Sequence, residues 1–165
     1  MVRWLMYLGG AFALLVLIVT GIGCWLPVEH VASRAAIFNK PAADVFAAIT
    51  DVRSYPEWRA DVSSVEVLSS SPRLRWKERG GNGDITFEVE HAAPPTRVVA
   101  RIADPELPFG GRWTYDLVPQ GSGTQLTITE HGEVYNPIFR FMSRFVFGHT
   151  STIEQFLAAL QRRLA

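Results

Sequence analysis

Cysteine is nearly absent from this sequence, in which Cys24 is the only one among 165 residues. A single cysteine excludes an internal disulfide and any metal site built from several cysteines. An excess of charge of one sign is also lacking, because sixteen basic residues balance sixteen acidic ones. That balance gives no indication of nucleic-acid binding, and we expect none.

The short motifs that mark common catalytic and cofactor sites are missing as well. No GxSxG, P-loop or GxGxxG sequence occurs, and the four histidines show neither H-x3-H nor HExxH spacing. Glu130 and Glu133 fall on opposite faces of a predicted strand, so they do not form a paired acid and base. We therefore expect no cofactor and no metal, and we assign no catalytic residue.

The first feature that the sequence does contain is a long apolar run without charges over residues 4–26. It exceeds the roughly 20 apolar residues that a helix needs to span a bilayer. Trp4, Tyr7 and Trp25 lie near its ends, where aromatic side chains favour the membrane interface. Two alternatives fit less well. A cleaved signal peptide conflicts with the length of the run and the lack of a small-x-small site before Pro27. A lipidated Cys24 lacks the leucine that usually stands three residues earlier.

The sequence thus predicts two parts, a transmembrane anchor over residues 1–27 and a domain over residues 28–165. Arg3 and the α-amine precede the apolar run, whereas Glu29, His30 and Arg34 follow it. The positive-inside rule then favours a cytoplasmic N-terminus. We expect a single-pass protein of the plasma (inner) membrane with an extracytoplasmic domain.

The first part of the domain predicts a strand, two short helices and a second strand. The strands are expected over residues 31–38 and 63–69, where apolar and polar residues alternate. Pro41 suits the first turn of a helix, and Pro56 breaks the helical pattern that follows. Tyr55 and Trp58 are expected to pack the helix pair against the sheet.

A predicted hairpin over residues 73–91 carries alternating charged and apolar residues around a Gly-Gly-Asn-Gly turn. The alternation places the charges on a solvated outer face and the apolar residues on an inner face. The expected cross-strand pairs are Arg79 with Asp84, Arg75 with Glu88 and Arg73 with Glu90. Each pair is worth about 0.2–1 kcal/mol.

The same alternation turns the carboxylate of Glu78 inward beside Trp76 and Phe87. A buried carboxylate is costly unless it is paired or protonated. Either Glu78 is a polar group within a cavity, or the strand frays and Glu78 reaches water. The second is the simpler expectation.

Three further strands are expected over residues 96–103, 111–118 and 124–134, which completes a sheet with one apolar inner face. The apolar members of this inner face are predicted to be Trp76, Phe87, Val98, Trp113, Tyr115, Leu126 and Ile128. Its polar exceptions are Glu78, His91 and Glu130. The large aromatic side chains either fill a core completely or leave an apolar cavity with a few polar groups, which is how small-molecule sites are usually built.

The last stretch predicts one amphipathic helix over residues 136–164, about seven turns long. Asn136 is a favourable N-cap, and Pro137 suits the first helical position. Gly148 weakens the middle of this helix by roughly 1 kcal/mol relative to alanine. Its first half is apolar nearly all round, so we expect Phe139 and Phe147 to border a mobile cavity entrance, set against the bilayer.

Four segments carry a resemblance to a known superfamily. They are NKPAADVFAAITDVRSYPEW, LPFGGRWTYDL, LTITEHGEV and NPIFRFMSRFVFG. With their order, the chain resembles the START-like, polyketide cyclase/dehydrase superfamily (SRPBCC). The resemblance implies an α+β helix-grip fold, in which a seven-stranded antiparallel sheet wraps a long C-terminal helix and two short helices follow the first strand. It also implies a cavity for apolar ligands such as lipids, sterols, polyketides or aromatic compounds.

The candidate ligand-binding residues are those expected to line this cavity. They are Trp76, Glu78, Phe87, His91, Trp113, Tyr115, Ile128, Glu130, Phe141, Phe145 and His149. The leading hypothesis is a membrane-tethered binding or carrier domain for an apolar small molecule or lipid. The alternative is an enzyme of the cyclase/dehydratase kind that uses Tyr115 or an inward glutamate as general acid or base. A third interpretation is an adaptor with a filled core, which predicts no ligand and an exposed apolar patch.

Overall fold

The computed structural model describes residues 2–81 and 83–165, with Val2 and Phe147 described by their backbone alone. An apolar helix, α1 (Val2–Trp25), precedes an α+β domain. Helix α1 is long and apolar enough to cross a membrane. The residues of its most apolar stretch are not buried by the rest of the protein. At about 1.5 Å per residue it is roughly 36 Å long, slightly more than the hydrocarbon thickness of about 30 Å.

The described residues of the domain form one sheet of seven antiparallel strands in the order β1-β7-β6-β5-β4-β3-β2. The strands are β1 (Glu29–Phe38), β2 (Val62–Ser69), β3 (Arg75–Gly80), β4 (Gly83–Ala93), β5 (Arg97–Ile102), β6 (Phe109–Gln120) and β7 (Gly123–Val134). After β1 come helix α2 (Ala42–Thr50), a 3₁₀ turn (Val52–Ser54) and helix α3 (Tyr55–Trp58). The predicted fold class, an α+β helix-grip with two short helices after strand 1, is confirmed.

The register between β3 and β4 follows the predicted charge pattern in part. Arg75 lies opposite Glu88 and Arg79 opposite Asp84, as expected. The predicted third pair is wrong, because β3 begins only at Arg75 and Arg73 lies before the paired region. Arg73 instead contacts Glu88 at 3.2 Å.

The C-terminal segment is divided where the sequence predicted one continuous helix. Helix α4 (Pro137–Met142) runs into a π-helical turn (Ser143–Phe147), and helix α5 (Ser151–Arg163) begins after a break. The break falls at Gly148, whose φ of 74° and ψ of 158° are a backbone conformation that glycine adopts readily and other residues rarely do. The predicted cap is present, since the Asn136 side chain accepts hydrogen bonds from the Ile138 and Phe139 amides.

The two halves of this segment have different neighbours. Helix α5 buries an apolar stripe in the core against the inner face of the sheet and helix α3. The members of this stripe are Ile153, Phe156, Leu157 and Leu160. Helix α4 lies against the last turn of α1, where a Cβ at Gly23 would overlap the carbonyl oxygen of Pro137. The domain is therefore closed at the α5 end, and its α4 end adjoins the apolar helix α1.

Candidate functional site between the sheet and the C-terminal segment

A cluster of aromatic rings fills the space beneath α5. Phe156 lies at its centre, with ring centroids 5.5 Å from Trp58, 5.7 Å from Tyr115 and 5.9 Å from Trp113. The hydroxyl of Tyr55 donates a 2.6 Å hydrogen bond to the carbonyl of Ile49, which ties α3 to α2. The helix pair thus packs against the sheet through its aromatic side chains, as predicted.

A small cavity of about 20 Å³ remains between this cluster and the helix pair. Its walls include Ile49, Tyr55, Leu74, Trp76, Val98 and Tyr115. A cavity of this size holds about one water molecule. An apolar ligand larger than a water molecule must therefore displace side chains here, or bind at another part of the inner face where the packing is looser.

Glu78 is buried on the inner face, with 7% of its surface exposed. Its Oε2 lies 3.0 Å from the guanidinium of Arg59, and its Oε1 accepts a 2.9 Å hydrogen bond from the Trp76 indole. The expectation that the strand frays and Glu78 reaches water is wrong, because these two partners satisfy the carboxylate inside the protein. Burial raises the pKa of Glu78, while Arg59 and then Trp76 oppose that shift.

Arg59 was missed as a site residue by the sequence analysis. It follows the last residue of α3 and reaches inward to Glu78 and, at 2.6 Å, to Asp61. Its guanidinium also lies 4.8 Å from the centroid of the Tyr55 ring. A signal was available, because an inward carboxylate needs a buried cation and Arg59 directly follows the buried helix pair.

Tyr115 lies next to this ion pair and is fully enclosed by the core. Burial raises its pKa well above the usual range of a tyrosine. The phenol therefore stays protonated at neutral pH, which disfavours Tyr115 as a general base.

A second polar cluster lies at the α4 end of the inner face. The Nε2 of His30 lies 3.5 Å from Oε1 of Glu130, and the imidazoles of His30 and His149 stack with centroids 4.0 Å apart. The other carboxylate oxygen of Glu130 is buried and has no hydrogen-bond partner among the described residues. We call this group the His30–Glu130–His149 cluster. It brings together two of the predicted cavity residues.

The remaining predicted site residues divide into those on the inner face and those outside it. Phe87 stacks on Trp76 with centroids 5.4 Å apart, and Ile128 is fully buried. His91 is on the outer face, because a bulge between Val89 and His91 reverses the alternation of β4. The inward position predicted for His91 is therefore wrong.

The predicted phenylalanines of the C-terminal segment do not enter the core. Phe141 is half-buried and its ring lies 4.9 Å from that of Phe145, but Phe145 is 59% exposed. The expectation that Phe145 lines an interior cavity is wrong, since the break at Gly148 separates it from α5. Phe139 is 50% exposed. The side chain of Phe147 lies outside the described part of the structure, so the entrance predicted there stays a prediction.

The His30–Glu130–His149 cluster predicts acid sensitivity. Burial lowers the pKa of His149, the neighbouring His30 and Arg144 lower it further, and Glu130 opposes them. As the pH falls through about 6.5, the unfolded chain takes up this proton before the folded one, so stability is lost on acidification. We expect His149→Gln to lose less thermal stability than wild type between about pH 7.5 and about pH 5.

Thermal unfolding followed by circular dichroism at the two pH values measures this difference. His131→Gln is the matched control, because His131 is exposed on the outer face. An acid-induced loss that is the same in wild type and His149→Gln would contradict the assignment.

The fold and this interior define a class of protein. A seven-stranded antiparallel sheet closed by a C-terminal helix, with aromatic rings and a few polar groups between them, is a helix-grip domain of the ligand-binding type. Residues 29–165 match the family described as "Polyketide cyclase / dehydrase and lipid transport". Since this match covers most of the chain, the chain belongs to that family. A comparison with curated proteins found no match.

Solved structures share the fold at low sequence identity. A START superfamily protein from Mycobacterium smegmatis is 18% identical with a TM-score of 0.64, covering 82% of this chain and 97% of its own. A protein from Thermus thermophilus is 24% identical with a TM-score of 0.64, covering 82% of this chain and 96% of its own. The Zhui aromatase/cyclase from a Streptomyces species is 13% identical with a TM-score of 0.64, covering 82% of this chain and 93% of its own.

Proposed function

We propose that this chain is a membrane-tethered binding or carrier domain that holds an apolar small molecule or lipid between its sheet and its C-terminal segment. The family description, which includes lipid transport, supports the ligand class. Helix α1 supports the tether. With a cytoplasmic N-terminus, the domain would face the extracytoplasmic side of the plasma (inner) membrane.

The observation that carries the proposal is the division of the C-terminal segment at Gly148. On the α5 side the inner face is densely filled, with Ile128 and Ile153 fully buried. On the α4 side Glu130 and His149 are only half-buried, and Trp113, at the border of the aromatic cluster, is half-buried as well. A ligand would enter on the α4 side, and rotation about the Gly148 backbone would let α4 move without disturbing α5.

Photo-crosslinking with a diazirine-bearing fatty acid tests this function in the full chain, reconstituted in phosphatidylcholine nanodiscs. We expect adducts on the inner-face side chains Trp113 and Glu130, located by mass spectrometry of peptides. Thr114 and Thr129 are the internal controls, because they point to the outer face of the same strands and should remain unlabelled. Adducts confined to α1 would show a membrane helix without a ligand site and would refute binding.

A second candidate function, a cyclase/dehydratase-like reaction, is favoured by one observation. Glu130 has a buried oxygen without a partner among the described residues and a histidine at its other oxygen. Such a carboxylate can exchange a proton with a bound molecule. This candidate predicts that Glu130→Gln abolishes turnover of an aromatic polyketide substrate while binding is retained. Equal turnover in wild type and Glu130→Gln would exclude that role for Glu130.

The adaptor interpretation makes a different prediction from both. A permanently filled core gives no adducts on β6 or β7 with the photoreactive fatty acid. The exposed apolar residues near α4 would then serve a protein partner. The crosslinking experiment therefore separates a carrier from an adaptor as well as testing the carrier directly.

A further inference from the structure

A group of exposed apolar side chains surrounds helix α4. We call this group the α4 patch. Its members are Tyr135, Ile138, Phe139, Phe145 and Val146, each between 40% and 59% exposed. Contiguous apolar surface of this kind marks an interaction site in a folded protein. The helix that lies beside the α4 patch, α1, indicates which surface covers it.

The neighbour of the α4 patch is the C-terminal end of α1. Gly23 lets α4 approach so closely that any side chain there would overlap Pro137. Arg140 fixes the contact, because its Nη1 donates a 2.9 Å hydrogen bond to the carbonyl of Leu26 and its Nη2 donates one of 3.3 Å to that of Tyr135. The patch is thus continuous with the apolar surface of the membrane helix.

The depth of the α4 patch follows from this contact. If α1 spans the bilayer, its last turn lies at the level where the acyl chains meet the headgroups. Trp25, which is 94% exposed at the end of α1, is a residue type that favours that level. The α4 patch lies beside the same turn, and the exposed Arg144 can reach lipid phosphates from the same segment.

We propose that the α4 patch is inserted into the headgroup boundary of the bilayer that α1 spans. This inference rests on the tether in the proposed function. The domain then has two attachments, a spanning helix and an interfacial one, and the α4 side of its inner face is held at the lipid surface. An apolar ligand would pass between bilayer and domain at this level.

Site-directed spin labelling of the full chain measures the depth. In a Cys24→Ser background, single cysteines replace Phe139 and Phe145, and the protein is reconstituted in phosphatidylcholine/phosphatidylglycerol vesicles. Val118→Cys is the matched control, because Val118 is 56% exposed but lies far from α4. It is at the end of the β6–β7 pair opposite to Val134, the residue that leads into the α4 patch. Leu14→Cys, in the middle of α1, reports the tether itself.

We expect the labels at 139 and 145 to be accessible to oxygen and several-fold less accessible than the label at 118 to a water-soluble nickel chelate. Nickel accessibility at 139 and 145 equal to that at 118 would overturn the proposal. If the Leu14 label still lies in lipid, only the interfacial contact fails. If it too is in water, the tether fails. Labels at 139 and 145 shielded from both reagents would mean that a protein surface covers the patch, which also overturns the proposal.

Discussion

Replacing Arg59 with leucine is expected to destabilise the domain by about 3–5 kcal/mol, because it leaves the buried carboxylate of Glu78 without its cation. The pair is enclosed, with side-chain exposures of 13% and 10%. Asp61 also loses its 2.6 Å contact, but it is more exposed and can be solvated. Urea unfolding of the full chain in detergent micelles, followed by circular dichroism, measures the loss.

The matched control for Arg59→Leu is Arg97→Leu. Arg97 pairs with Asp116 at 2.7 Å, but both side chains are exposed on the outer face. Removing an exposed partner costs about 0–1 kcal/mol. The double variant Arg59→Leu/Glu78→Leu should recover most of the loss, since an apolar pair of similar volume replaces the ions. If Arg59→Leu costs no more than Arg97→Leu, the buried pair is not the stabilising contact described above.

The pH dependence of the Arg59→Leu variant provides a second check. Burial already raises the pKa of Glu78 in the presence of Arg59, and removing the cation raises it further. A carboxyl whose folded pKa is raised favours the folded state when it is protonated, and this contribution is lost as the pH rises through that pKa. The cost of Arg59→Leu should therefore be smaller at about pH 5 than at about pH 8.

Phe156→Ala is the second substitution with a large expected effect, at about 3–5 kcal/mol. Phe156 is 4% exposed and contacts aromatic rings on both the sheet and α3. Removing the ring leaves a cavity lined by Trp58, Trp113 and Tyr115, with the Arg59 guanidinium 5.5 Å from the former ring centre. A benzene-sized compound can take the place of the ring, as in cavities created in other cores, and regain its cation–π contact.

The Phe156→Ala prediction is checked by thermal unfolding with and without benzene. We expect the variant, but not wild type, to be stabilised by the compound, since a ligand that binds only the folded state raises its stability. Phe139→Ala serves as the control, because Phe139 is half-exposed and outside the core. Equal unfolding temperatures for Phe156→Ala and Phe139→Ala would show that the aromatic cluster does not close the domain.

The sheet was predictable because period-two patterns specify which residues share a face. Arg75 opposite Glu88 and Arg79 opposite Asp84 follow from alternation and charge alone. His91 shows where this reasoning ends. A bulge adds one residue to β4, and every side chain beyond it changes face. The extra residue has no marker in the local composition, since it is set by how β4 and β5 pair.

The alternation along the strands predicted which side chains of the candidate site point inward, but not which residues they contact. Alternation placed Glu78 and Glu130 inward, and both are there. Alternation alone does not identify Arg59, because Arg59 lies outside the strands. The need of an inward carboxylate for a cation points to it, but the contact with Glu78 forms only when α3 packs beside β2. The break at Gly148 was visible as a weak helix former. The rotation of α4 toward α1 was not, because it depends on a contact with a segment more than a hundred residues earlier.

The position of β1 has a consequence for the way the chain is made. Among the described strands β1 pairs only with β7, from Glu29 opposite Glu133 to Phe38 opposite Thr124. During synthesis β1 leaves the ribosome soon after α1, and its partner β7 appears only after the five strands between them. Pairings so distant in sequence form slowly. Until then the hydrogen-bonding groups of β1 have no partner strand and can recruit a strand from another chain. This interval is therefore when the nascent domain is most exposed to misassembly.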